Sequence, residues 1–300
     1  MRKLASLVLA GVVPFCVGAR EKTRPRILGI ARVEILSSNV PAAQMFYGQI
    51  VAAGKSCVWC EKTLFDSVML PSAQVIDLAP LPAKPPKRLL VRVSFEVDNE
   101  DAMKRWLKTN HVSYKEISAS GNAGCPALST VDPEGHEIWF IDGRAKRYKI
   151  VEREIPTVGR MIHAGFVVRD REAMDKFYKD ILGFHVYWHG GMKDGETDWE
   201  DMQVPDGTDW IEYMLNVPEN ADKHTLGVMN HIALGVLDVR AAAEQLKKNG
   251  VKLTEEPKIG RDGKWQLNLY DPDETRVELM EFTPVEKPCC AEYTGNHPKP

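Results

Sequence analysis

The 300-residue chain repeats itself, and no other feature restricts its fold as much. Arg92-Val-Ser-Phe-Glu-Val97 and His231-Ile-Ala-Leu-Gly-Val236 open two segments of the same layout, 139 residues apart. In each, a valine (Val112 or Val251) follows 20 positions after the first residue. A turn of the same type, Asp132-Pro133-Glu134 or Asp271-Pro272-Asp273, comes 20 positions later again. A second pair matches as well: Arg32 is followed 14 positions on by Phe46-Tyr47, and His163 by Phe177-Tyr178. Self-similarity at fixed intervals marks repeated structural units. The chain therefore divides into four modules, at roughly 27–80, 88–142, 159–216 and 227–283.

Each module has one grammar. An apolar or alternating strand such as His231 to Val236 comes first. A helix follows, such as Asp238 to Lys248, with Val239, Ala242, Ala243 and Leu246 on one face. Asp170 and Asp238 suit helix N-caps, and Gly183 and Gly250 suit helix ends. Strand-like segments such as Trp265 to Tyr270 and Thr275 to Phe282 close the unit, separated by Gly, Asp and Pro. A βαβββ module is the natural reading. The charged stretch 143–158 serves as a linker between an N-terminal domain, 27–142, and a C-terminal domain, 159–283.

Strand alternation then singles out side chains. Successive strand residues face opposite ways, so His231, Ala233 and Gly235 share a face, as do His163, Gly165 and Val167. Small neighbours leave room beside each imidazole. In the last strand Glu278, Met280 and Phe282 share a face, which prefers Glu278 over Glu281. Glu212 lies in the corresponding strand of module three. A lone histidine at a strand start is more often structural than a ligand, but a buried carboxylate needs a partner. Two His and two Glu at equivalent places in paired modules form a mixed nitrogen and oxygen set. It suits one divalent ion (Ni, Co, Zn, Mn or Fe(II)) and leaves two octahedral positions open.

The segments MIHAGFVVRDREAMDKFYKDILGF, IEYMLN, NHIALGV and DPDETRVELME resemble the vicinal oxygen chelate superfamily, which groups glyoxalases, bleomycin resistance proteins and extradiol dioxygenases. The C-terminal half is most similar to glyoxalase I. The resemblance implies His163, Glu212, His231 and Glu278 as metal ligands. It also implies an α+β fold of two tandem domains, each of two paired βαβββ modules forming an open, barrel-like curved sheet. Glu274 stands where the family's turn has Gly. The N-terminal half resembles the same superfamily but carries Arg32 and Arg92 at the His positions, Asp77 near the first Glu and Trp139 at the last. It is read as metal-free, with an internal Arg–Asp pairing.

A glyoxalase-like lyase or isomerase is the first function the resemblance implies. There two adjacent substrate oxygens meet the metal, an enediolate is stabilised, and a ligating carboxylate, Glu212 or Glu278, moves a proton. The alternative is an extradiol-type Fe(II) dioxygenase, which would need only His163, His231 and Glu278. It also calls for an acid-base His, and His185, His189 and His224 have no assigned place. A non-enzymatic binding or sequestering protein is the third reading. Trp188, Trp199, Trp210 and Tyr213 are expected to wall the substrate mouth, against the alternative of a surface loop. The partner is a small-molecule substrate, and a homodimer is compatible with the family.

Composition bounds the rest. A net charge of −3 with interspersed signs excludes a nucleic-acid footprint. No segment after the N-terminus is long enough and apolar enough to span a bilayer. Residues 1–19 read as a secretory signal peptide: a basic Met1-Arg2-Lys3, an apolar Leu4 to Val17, and small residues before cleavage after Ala19. The protein is expected to be secreted or periplasmic. In such a compartment Cys57 and Cys60 could close a small disulfide, while Cys125, Cys289 and Cys290 have no assigned partner. The Pro-containing tail, 284–300, is expected to be loosely held.

Overall fold

A computed structural model of the chain describes residues 23–51, 67–118, 126–143 and 158–300. The segment read as a signal peptide, nearly all of the linker, and Cys57, Cys60 and Cys125 lie outside the described residues. Module one contains strand β1 (Ile27–Ser37), helix α1 (Val40–Val51), β2 (Ser67–Met69) and β3 (Val75–Pro80). Module two has β4 (Leu90–Val97), α2 (Glu100–Thr109), β5 (Lys115–Ile117), β6 (Ala127–Val131) and β7 (Glu137–Asp142). Module three runs through β8 (Arg160–Val167), α3 (Arg171–Asp175), a wider π-helical turn over Lys176–Ile181, β9 (His185–Gly190), β10 (Trp199–Gln203) and β11 (Trp210–Met214). A short α4 (Lys223–Met229) leads to module four: β12 (His231–Val236), α5 (Val239–Lys248), β13 (Lys258–Ile259), β14 (Trp265–Tyr270) and β15 (Arg276–Glu281).

One pairing rule builds both halves. In every module the last strand lies parallel to the first: β3 on β1, β7 on β4, β11 on β8 and β15 on β12. The two first strands of a half run antiparallel, β1 with β4 and β8 with β12. The result is two curled sheets, ordered β2-β3-β1-β4-β7-β6-β5 and β13-β14-β15-β12-β8-β11-β10-β9. Modules thus pair within each half. Local signals place the helices as the sequence implies. Asp170 accepts the Ala173 N–H and Asp238 the Ala241 N–H, capping α3 and α5. The apolar stripe of α5, Val239, Ala242, Ala243 and Leu246, is buried against Ile232, Leu234 and Val236 on one face of β12.

The two halves share one apolar core and meet through a symmetric pair of hydrogen bonds. Tyr47 of module one donates to Asp271 of module four at 3.1 Å, and Tyr178 of module three donates to Asp132 of module two at 3.1 Å. Each aspartate uses its other oxygen on its own turn: Asp271 accepts the Asp273 and Thr275 N–H groups, and Asp132 the Glu134 and His136 N–H groups. The repeated Phe-Tyr and Asp-Pro pairs of the sequence are therefore the two ends of this contact. Gly135 and Glu274 close the two turns at φ +79° and +69°. Left-handed backbone costs a non-glycine residue ~1–2 kcal/mol, so Glu274 holds a strained place that Gly135 fills freely.

Residues 284–300 are not a loose extension. Val285 N–H bonds Gly263 O, Cys289 N–H bonds Arg261 O, and Thr294 N–H bonds Tyr187 O. Tyr293 packs on Tyr187 and Trp188, with ring centres 4.7 Å and 6.4 Å apart, and Ala291 joins the same cluster. The prolines misled the expectation, because the aromatic and backbone groups between them find partners across the sheet. Cys289 and Cys290 are bonded to each other.

A candidate metal centre in the C-terminal sheet

The pairing register brings the four expected ligands together from four adjacent strands. His163 on β8 lies beside Ala233 of β12, which lies beside Glu278 of β15; one step along, Gly165 separates Glu212 of β11 from His231 of β12. All four point to the face of the sheet away from α5. The two imidazole Nε2 atoms are 3.0 Å apart. Glu212 Oε2 stands 3.0 Å from His231 Nε2 and 3.7 Å from His163 Nε2. Glu278 Oε2 is 3.7 Å and 3.9 Å from the same two nitrogens. His163, His231 and Glu278 are buried.

This set fits a metal ion on its own geometry. Donors bound at about 2.1 Å stand about 3.0 Å apart at right angles and about 3.4 Å apart at tetrahedral corners. The observed spacings bracket those values. Glu212 Oε2, which faces both imidazole Nε2 atoms, is also buried without a hydrogen-bond partner among the described residues, an arrangement that is costly unless a cation meets it. Burial lowers the basicity of His163 and His231 well below the usual imidazole range, which keeps both in the neutral, ligating form. Burial also pushes the Glu278 carboxyl up to about 7, an effect that Arg276 opposes.

Around the ring lie residues the sequence did not single out. Arg276, two before Glu278 on β15, reaches back so that its Nη2 is 2.6 Å from His231 Nε2. Asp201 lies opposite Glu212 on β10, buried, with Oδ1 unpartnered among the described residues. Burial and the nearby Glu212 raise its carboxyl well above the usual range. Beyond Trp210 and Met280, Lys264 is fully buried, its ammonium 4.7 Å from the Trp210 ring, 5.1 Å from Tyr293 and 5.3 Å from Tyr187. Alternation could have found Arg276, which shares a face with Glu278. Nothing in the sequence marks Lys264 or Asp201.

The aromatic residues expected at the mouth divide. Trp210 packs on His163 with ring centres 4.8 Å apart. Trp188 and Trp199 belong to the same cluster, and Trp188 lies under the tail, its Nε1 donating to Cys289 O. Tyr213 does not line this face. It follows Glu212, so alternation turns it to the helix side, where it meets Tyr178 with ring centres 6.1 Å apart. The three unplaced histidines have other neighbours. His189 pairs with Glu200, which faces Arg171 and Lys179 on the helix side, His185 lies opposite Gln203 on the edge strand, and His224 packs on Tyr270.

In the N-terminal sheet the register puts Arg32, Asp77, Arg92 and Trp139 where His163, Glu212, His231 and Glu278 stand. Arg32 grips Asp77 through Nε at 2.9 Å and Nη2 at 2.7 Å. Arg92 pairs with Glu34 and lies 4.0 Å from the Trp139 ring centre. The expected internal pairing replaces the ligand ring with an ion-pair cluster. Glu34 occupies the place of Gly165. A Cβ at Gly165 would collide with the His231 ring, so the glycine is what admits that imidazole.

Comparison with known proteins agrees with this division. The sequence profile of the Glyoxalase/Bleomycin resistance protein/Dioxygenase superfamily matches residues 160–279. The mitochondrial methylmalonyl-CoA epimerase of Homo sapiens is 33% identical over 39% of this chain and 69% of its own length. The probable chloroplastic lactoylglutathione lyase of Arabidopsis thaliana is 27% identical over 44% of this chain, an alignment that spans only 38% of that relative. The crystal structure of a catechol 2,3-dioxygenase superposes with a TM-score of 0.64 at 14% identity, covering 91% of this chain and 95% of the other. That structure shares the fold of both halves, whereas the superfamily profile matches the half that carries the ligand ring. The chain is therefore a member of the glyoxalase, bleomycin resistance protein and dioxygenase superfamily, the vicinal oxygen chelate proteins.

Proposed function

We propose that the chain is a metal-dependent lyase or isomerase of glyoxalase type, acting on a small substrate with oxygens on neighbouring carbons. The observation that carries the reading is the place of Glu212, inside the ring with both imidazoles. His163, Glu212, His231 and Glu278 would hold one divalent ion, which when bound supplies Lewis-acid polarisation of substrate oxygens. Four protein donors would leave two of six positions for those oxygens. Glu212 or Glu278 would take a proton from a substrate carbon held there and return it. Trp210 keeps water from one flank of the ring. The relatives' names, a lyase and an epimerase, support this class, since epimerising a carbon requires its proton to leave and return.

The second reading, an extradiol-type Fe(II) dioxygenase, is favoured by the end-to-end likeness to the catechol 2,3-dioxygenase fold. Glu212 argues against it by filling a position such a site would leave open. A purely sequestering role is weaker still, because His163, Glu212 and His231 lie within ligand range of one another with Glu278 beside them. Residues 1–19 support export, and we place the enzyme in a secreted or periplasmic setting.

The test is solvent exchange. The metal-loaded protein is incubated in deuterated water with lactoylglutathione, the compound in one relative's name, whose carbonyl and hydroxyl oxygens sit on neighbouring carbons, and carbon-bound deuterium is read by NMR. Deuterium uptake, lost in Glu212→Gln, is the expected result. Oxygen consumption with catechol by the iron form, unaffected by Glu212→Gln, would replace this reading with the second.

A further inference from the structure

We propose that Arg276 is an anion-binding residue of the ring and that the substrate is a small carboxylate with an oxygen on the adjacent carbon, a 2-oxo or 2-hydroxy acid. The inference rests on the metal-centre reading above and narrows its substrate. Arg276 lies on the ligand face of β15, with Nη2 2.6 Å from His231 Nε2 and 3.9 Å from Glu212 Oε2. Its Nε is buried and has no hydrogen-bond partner among the described residues. A guanidinium offers five N–H donors in a fixed fork, so that more than one of them can meet a single carboxylate oxygen. A single imidazole nitrogen uses one of them, and Glu212 lies beyond hydrogen-bond range. Most of the fork is unspent.

The position is a choice of this sequence and not of the fold. In the N-terminal sheet the equivalent residue is Glu137, beside Arg92, so the same backbone accepts the opposite charge. In the C-terminal sheet the arginine adds a permanent positive charge beside the ring, where Asp201, Asp262 and Lys264 are the other charged groups. Two neutral imidazoles and two carboxylates would offset a divalent ion, so the ring ligands alone do not neutralise the guanidinium, and a carboxylate is the ligand that would. His231 Nε2 has one lone pair, so serving as a ligand frees the guanidinium from it. A 2-oxo or 2-hydroxy carboxylate answers both demands. One carboxylate oxygen and the neighbouring oxygen are the vicinal pair, and the second carboxylate oxygen is left for Arg276.

The experiment uses the full chain loaded with one equivalent of Co(II), alongside Arg276→Gln and Arg276→Lys. The probes are pyruvate and its neutral isostere pyruvamide, titrated by calorimetry and by the visible spectrum of the cobalt, with metal content measured on the same samples. Loss of a charge-assisted pair predicts pyruvate binding weakened about thirty-fold in Arg276→Gln and partly recovered in Arg276→Lys. Affinity for pyruvamide should be the same in all three. Equal pyruvate affinity in parent and Arg276→Gln, both holding metal, overturns the role of Arg276 and leaves the metal centre standing. A parent that binds no metal overturns the metal centre instead. Pyruvate binding to that metal-free parent and not to Arg276→Gln would still support the arginine's role, and any other outcome would overturn it.

Discussion

At Gly165 a single carbon atom decides whether His231 can take its place. The imidazole lies across the glycine from Glu212, and a methyl group there would overlap the ring. Gly165→Ala should therefore displace His231 and weaken metal binding by at least about tenfold. Overpacking should also lower unfolding stability by about 2 kcal/mol. Denaturant unfolding and metal titration of the variant check both effects, and unchanged affinity would mean that His231 is not held as described. The residue scale is also where the sequence was most and least legible. His163, Glu212, His231 and Glu278 could be picked out because alternation and small neighbours are visible without coordinates. Tyr213 was assigned to the wrong side although the same alternation turns it from Glu212. Asp201 and Lys264 gave no signal, because their closeness to the ring depends on which strands become neighbours.

Among the elements, the Asp-Pro turns join the halves, and one of them should make stability depend on pH. Burial raises the Asp271 carboxyl from 3.8 to about 6, although its own turn and Tyr47 favour the charged form. The sign follows from that direction. A carboxyl that holds its proton more tightly in the folded state contributes stability below pH 3.8, and the contribution is lost as pH rises through about 6. The loss amounts to about 3 kcal/mol at most. Unfolding free energies measured across that window should fall with rising pH in the parent and fall less in Asp271→Asn. Identical slopes would mean that another group dominates. These turns could be read as a repeat, and the helices and strands of modules three and four lie close to where periodicity put them. That Tyr47 would meet Asp271 and Tyr178 meet Asp132 was hidden, because a repeat reveals equivalence and not contact.

For the molecule as a whole, two copies of one sheet have been put to different uses. The N-terminal sheet keeps the register and replaces the ring with Arg32–Asp77 and Arg92–Glu34 pairs, whose charges balance without an ion. In the C-terminal sheet the ring remains, and the tail is seated beside it on Tyr187 and Trp188. The tail was illegible because proline content describes how a segment leaves regular structure and not what its aromatic residues will find. Two paired modules per half followed from the repeats and the resemblance. Which modules pair did not, and only the antiparallel contacts of β1 with β4 and β8 with β12 decide it.

The measurement that bears most directly on this account is elemental analysis of the protein purified without affinity metal, beside His231→Ala and Arg32→Ala. The account predicts one equivalent of a divalent ion in the parent, the same in Arg32→Ala, and none in His231→Ala. A parent without metal after reconstitution, or a full equivalent retained by His231→Ala, would contradict it.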